Sequence, residues 1–111
     1  MAYDEALAEK VRKLVAGEPG LTEKRMFGGL AMLLNGNMAV AVRGRGGLMI
    51  RVDPDTSDPM LDEPGASIAV MQGRPMRGWI VVETEAVAKA ADLKRWVKRG
   101  TAYASTLPPK K

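Results

Sequence analysis

The chain contains no cysteine and no histidine. Without cysteine there is no disulfide framework, no thiolate nucleophile and no Cys-based zinc site, a composition that fits a reducing compartment. Without histidine, the usual general base and the commonest transition-metal ligand are missing too. Aromatic side chains are few, with one Phe, two Trp and two Tyr, which leaves little material for stacking nucleobases. No apolar run reaches the roughly eighteen residues that nominate a membrane span. The opening Met1-Ala2-Tyr3-Asp4-Glu5 lacks the basic and then apolar regions of a secretory signal. The expectation is a cytoplasmic protein with no membrane partner. Carboxylates, lysines, serines and tyrosines remain available, but nothing in their spacing nominates a catalytic pair. The chain is therefore expected not to be an enzyme, with no catalytic residue, no cofactor and no metal ligand.

What is present suffices for one core. At 111 residues, 46% hydrophobic and 27% charged, the chain reads as a single domain over residues 1–111. No internal repeat, low-complexity stretch or linker divides it, and Pro108 to Lys111 reads as a loose basic tail. The formal net charge of +4 is uneven. Residues 94–111 carry six cations (Lys94, Arg95, Lys98, Arg99, Lys110 and Lys111) and no acid, so residues 1–93, with 11 cations against 13 acids, sum to −2. A basic C-terminal element on a slightly acidic body suits contact with phosphates or an acidic surface, or else is a solvated helix face.

Tyr3, Leu7, Val11, Leu14 and Val15 repeat at helical spacing, predicting a helix from about Asp4 to Ala16 capped by Asp4 and ended by Gly17 and Pro19-Gly20. From Lys24 to Val52 the period becomes that of strands. Asn35-Gly36 is a hairpin signal, so Leu30 to Leu34 and Met38 to Arg43 should pair antiparallel. A three-residue turn at Arg45-Gly46-Gly47 would set Val42 opposite Ile50 and Val40 opposite Val52. Those four residues and Leu48 would then share a buried face, sending Ala39, Ala41, Arg43, Met49 and Arg51 to the other. That second face is either wet surface or a partner-facing patch, since Met and Arg suit adaptable contacts. Asp53-Pro54 can open a short helix. Ser67 to Met71 and Gly78 to Glu83 are two more strands, joined by a turn over Gln72 to Arg77. Finally Leu93, Trp96, Val97, Gly100, Tyr103, Ala104 and Leu107 form the stripe of an amphipathic helix closed by Pro108-Pro109. Gly100 on that stripe marks either close approach of another backbone or a local weakness.

Motifs with apparent chemistry have simpler readings. Gly44-Arg45-Gly46-Gly47 lacks the Lys-Ser or Lys-Thr of a phosphate loop and is better explained as a hairpin turn. Asp53, Asp55, Ser57 and Asp58 resemble a calcium loop only until positions 58 and 64, where Gly and Glu are required and Asp and Pro stand. Lys94, Arg95, Lys98 and Arg99 are candidate contacts for nucleic acid or an acidic partner. Arg74 and Arg77 flank a turn and precede Trp79. The arginines are either solvated or anion-binding, and Trp79 is expected in the core.

Several features then combine: Lys24-Arg25-Met26-Phe27-Gly28-Gly29-Leu30-Ala31, Asn35-Gly36-Asn37-Met38, Gly73-Arg74-Pro75-Met76-Arg77-Gly78-Trp79, and Trp96-Val97 ahead of Leu107-Pro108-Pro109. In this order and spacing the chain resembles the TfoX N-terminal domain family, also called the TfoX/Sxy family, from about Tyr3 to Pro109. The resemblance implies an α+β fold, an antiparallel sheet with helices in the order α-β(3-4)-α-β2-α, similar to secretion-chaperone-like folds and often dimeric. Pro59 interrupts what is usually a longer second helix. Full-length family members regulate natural competence and act with a cAMP-receptor-type transcription activator. The resemblance thus implies a stand-alone, non-enzymatic regulatory or protein-interaction domain, a homodimer whose protein partner is a transcription regulator. Weak nucleic-acid binding through the basic C-terminal helix is the alternative. Met26, Phe27, Gly28, Gly29, Arg74, Arg77 and Trp79 are the family motif and candidate partner contacts. Phe27 is further expected in the core, with Gly28-Gly29 permitting a bend or close backbone approach.

Overall fold

The computed structural model describes residues 3–26 and 28–109. Among the described residues, two α-helices and an antiparallel sheet of six strands form an α+β domain. Helix α1 spans Glu5–Val15, and Asp4 caps it by accepting a hydrogen bond from the Leu7 amide at 3.1 Å. Leu7, Ala8, Val11 and Val15 make its buried face. Leu14, expected on that stripe, is 37% exposed, and Ala8, one turn from Val11, takes the inward place.

Strand β1, Leu21–Met26, begins three residues before the expected strand region. It is followed by β2 (Gly29–Leu34), β3 (Asn37–Val42) and β4 (Leu48–Arg51). Later come β5 (Ala66–Met71) and β6 (Arg74–Val82). The spatial order is β1-β2-β3-β4-β6-β5, so β6 inserts between β4 and β5. Asn35 and Gly36 both take positive φ, 52° and 84°, which is the hairpin geometry expected of Asn-Gly. Gln72 (53°) and Gly73 (76°) make the same kind of turn between β5 and β6. That tight turn corrects the expected loop over Gln72 to Arg77: Arg74 and Arg77 belong to β6, and Arg74 pairs with Met71.

The face alternation was legible, but the pairing is displaced. Val40 lies opposite Ile50 and Val42 opposite Leu48, not Val52 and Ile50, because the connection is the five-residue loop Arg43–Gly47. The Arg43 amide donates to the Gly47 carbonyl at 3.0 Å and closes it. A slip of two residues preserves faces. Leu30, Met32, Val40, Val42, Leu48, Ile50, Val52, Ile80 and Val82 therefore still share one buried side. Ala39 departs from the expected outer face. It is the extra residue where the β2–β3 register shifts between Met32 and Leu33, and this bulge turns it inward.

The second helix, Ala90–Ala104 (α2), covers this side together with α1. Leu93, Trp96 and Val97 enter the main core, while Ala104 packs with Leu34 and Ala39. Gly100 sits where α2 meets β3. A Cβ there would lie 2.3 Å from the Ala39 carbonyl oxygen, so close backbone approach explains the glycine and the local-weakness alternative falls.

The expected middle helix is a 3-10 turn at Asp58–Asp62. Pro54, Pro59 and Pro64 each remove an amide donor, which leaves no room for an i→i−4 ladder. Asp53 does not cap it. Its carboxylate accepts from the Asp55 amide at 2.9 Å and its carbonyl accepts from the Thr56 amide at 3.0 Å, closing a turn instead. A second 3-10 turn, Thr84–Val87, leads into α2. The tail is not loose at Pro108: the buried Asn37 donates Nδ2 to its carbonyl at 2.9 Å. Among the described residues, no helix is long and apolar enough to cross a membrane.

Candidate functional site

Both helices lie on one side of the sheet, which leaves the opposite side without a helical layer. Lys24, Ala31, Ala41, Met49 and Val81 follow one another across it as paired neighbours in β1, β2, β3, β4 and β6. Ala31 and Ala41 are nevertheless buried. They share a groove with residues of the β5–β6 hairpin. Between the pairs Ile68–Ile80 and Ala69–Met76, β6 carries additional residues, and Gly78 within them takes φ 88°. The Val52 amide donates to the Gly78 carbonyl at 2.7 Å and holds this bulge against the end of β4.

Beyond the bulge, Ala69, Val70, Met71 and Gln72 form one wall of a groove of about 440 Å³. Met26, Met38 and Met49 line it with Ala31, Ala41 and Val81, and among the described residues the charged ones lining it are Arg43 and Arg45. The volume falls within the roughly 300–1,000 Å³ of small-ligand and side-chain pockets. Flexible, polarizable thioethers suit an apolar partner whose shape is not rigidly prescribed.

Met26 and Gly29 of the family motif line this groove and pair with each other. Gly28 has φ 75° with nothing within 4 Å of where a Cβ would sit, so it serves the turn, whereas a Cβ on Gly29 would lie 2.3 Å from the Val42 carbonyl oxygen. The bend and the close approach are thus divided between the two glycines. Phe27, expected in the core, lies outside the described residues.

Trp79 is half-buried, not a core residue. It pairs with Arg51 across β4 and β6, and the Arg51 guanidinium lies 5.1 Å from the Trp79 ring centroid and 5.8 Å from that of Tyr103. Such cation–π contacts contribute about 0.5–1 kcal/mol each at exposed sites. Arg74 and Arg77 are exposed, and among the described residues neither forms an ion pair.

The cations of α2 divide. Lys94 and Lys98 are exposed. Arg95 bonds Asp92 Oδ1 at 2.7 Å and Glu63 Oε1 at 3.2 Å. The Asp92 hydrogen bond, with Glu63's charge added, holds its guanidinium above its usual pKa despite partial desolvation. Arg99 Nη1 lies 2.8 Å from Glu63 Oε2, an ionic contact without hydrogen-bond alignment, and its guanidinium stacks 4.5 Å from the Trp96 centroid. Glu63 thus occupies two of the four cations named as nucleic-acid contacts. Its place between Asp62 and Pro64 bears no sequence relation to α2, so only folding reveals the pairing. Mixed Ala41, Arg43, Met49 and Arg51 form the outward face that the strand alternation predicts, but the hairpin wall and Arg45 are placed by features outside that alternation, the wall by the β6 bulge and Arg45 by the five-residue loop Arg43–Gly47.

A family model described as the TfoX N-terminal domain matches residues 13–104, nearly the whole chain. No curated protein and no solved structure matches it.

Proposed function

The chain belongs to the TfoX N-terminal domain family, and from that premise we propose that it is a non-enzymatic regulatory domain that works in the cytoplasm by binding a partner protein. The partner is a transcription regulator, as the family's full-length members suggest, and the contact is the helix-free side of the sheet. The observation carrying this reading is the groove lined by Met26, Met38, Met49 and Met71 on a face that no helix covers. The lack of histidine and cysteine supports a role other than catalysis. α2 is the weaker candidate surface, since its apolar stripe is in the core and Arg95 and Arg99 are ion-paired.

The domain functions as a homodimer in this reading. Support comes from the sheet edges: β1 bears Glu23, Lys24 and Arg25, charges that discourage pairing, while the β5 edge, Ala66–Met71, has no charged residue and leaves Val70 61% exposed. Light scattering at high micromolar concentration should give a dimer mass, and Val70→Lys should give a monomer. Affinity purification from the native cell should recover a protein that Met49→Lys loses. A strictly monomeric wild type whose Met49→Lys variant retains every partner would refute the proposal.

A further inference from the structure

The groove's charge distribution identifies the chemistry of what it holds. Resting on the interaction-domain reading above, we propose that it takes an acidic segment of a partner protein, carboxylates meeting Arg43 and Arg45 while alternate aliphatic side chains settle among the methionines.

The molecule neutralises its cations unevenly. On the helix side, Arg12 is paired with Glu9 and Glu23, Arg95 with Asp92 and Glu63, and Arg99 with Glu63. Among the described residues, Arg43 and Arg45 have no such partner, and no Asp or Glu lines the groove. Arg43 is half-buried, and among the described residues its side chain makes one long bond, 3.4 Å, from Nη1 to the Gly46 carbonyl of its own loop. A guanidinium has five N–H donors in a fork that matches a carboxylate. Most of Arg43's donors are therefore unspent at the mouth of an apolar groove.

A neutral or basic partner covering this face would bury that cation without a counter-charge, which is strongly unfavourable. A nucleic acid would answer the charge but not the lining. Its bases need aromatic platforms, and among the described residues none that lines the groove is aromatic. A segment alternating carboxylates with aliphatic side chains satisfies both features, the methionines adapting to the anchors and the arginines setting orientation and encounter rate.

Fluorescence anisotropy with labelled twelve-residue peptides tests this: Glu–Leu alternating, Lys–Leu alternating and Glu–Ser alternating, with an oligo-dT of equal length. The Glu–Leu peptide should bind best, weaken with added salt, and lose about tenfold in affinity in the Arg43→Gln/Arg45→Gln variant. It should weaken similarly in Met49→Gln, and remain unchanged in Lys94→Gln/Lys98→Gln. Circular dichroism checks that each variant is folded. Equal binding of Glu–Ser, tighter binding of oligo-dT, or indifference to the arginine substitutions would overturn the inference. Preferred binding of Lys–Leu, lost in Met49→Gln, would overturn the acidic partner and leave the interaction face standing. If no peptide binds, the inference fails, and native-cell recovery then judges the face separately: partners lost with Met49→Lys preserve it, partners retained remove it.

Discussion

Replacing Gly100 by alanine should destabilise the domain, although alanine is the better helix former. Intrinsic propensity alone favours the substitution by about 1 kcal/mol. Packing opposes it. The added Cβ would meet the Ala39 carbonyl oxygen at 2.3 Å, its carbon at 3.1 Å and Ile50 Cγ2 at 3.2 Å. Ala39 cannot yield easily, because it is the bulged residue held between the Met32–Val40 and Leu33–Met38 pairs. Helix α2 would have to lift by about 1 Å, and overpacking of this kind costs about 1–3 kcal/mol. Since the obstacle is backbone and the lift also loosens Leu93, Trp96 and Val97, the cost belongs near the top of that range. The net loss should be about 1–2 kcal/mol, or about 5–15 °C in Tm for a domain of this size. Thermal and urea unfolding followed by circular dichroism would measure it. Gly17→Ala is the control: nothing lies within 4 Å of its Cβ position, so its stability should hold or rise slightly. A Gly100→Ala protein as stable as wild type would show that α2 does not need this contact.

Other substitutions probe the remaining contacts. Trp96, fully buried, should lose about 3–5 kcal/mol on mutation to alanine, whereas Trp79→Leu at a half-buried position should cost less than about 1.5 kcal/mol; comparable losses in urea unfolding would contradict their placement. Asn37→Ala removes the bond to Pro108 and should cost about 1 kcal/mol, with faster proteolytic nicking after residue 104 as the local sign; an unaltered nicking rate would mean the tail is held otherwise. Glu63→Gln releases Arg99 from its ion pair and leaves Arg95 with Asp92 alone, so stability should fall by less than about 1 kcal/mol while heparin retention increases. Unchanged retention would show that Arg99 does not reach a solvent anion even when released.

Much of the fold follows from local chemistry. Asp4 caps α1 through a bond three residues away, Asn35-Gly36 makes its hairpin because both residues accept positive φ, and the stripe from Leu93 to Ala104 needs only the helical period. Strand faces survive even a wrong register, since pairing displaced by two residues restores the same alternation. The middle helix failed where three prolines each withdrew a donor, and β6 was shortened in expectation because Arg74 to Arg77 lack the pattern of a buried strand.

Sequence periodicity therefore specified the elements and their inward faces, because these depend on residues within a few positions of one another. The groove and the fate of the basic helix depend on distant partners. Glu63 reaches α2 across 32 and 36 residues of chain, and Ala69–Gln72 reach Met26 and Met49 only through the bulge at Gly78. The same arginine is a free cation or a neutralised one according to which carboxylate the chain folds against it. Long-range packing thus left Arg95 and Arg99 engaged and Arg43 and Arg45 available.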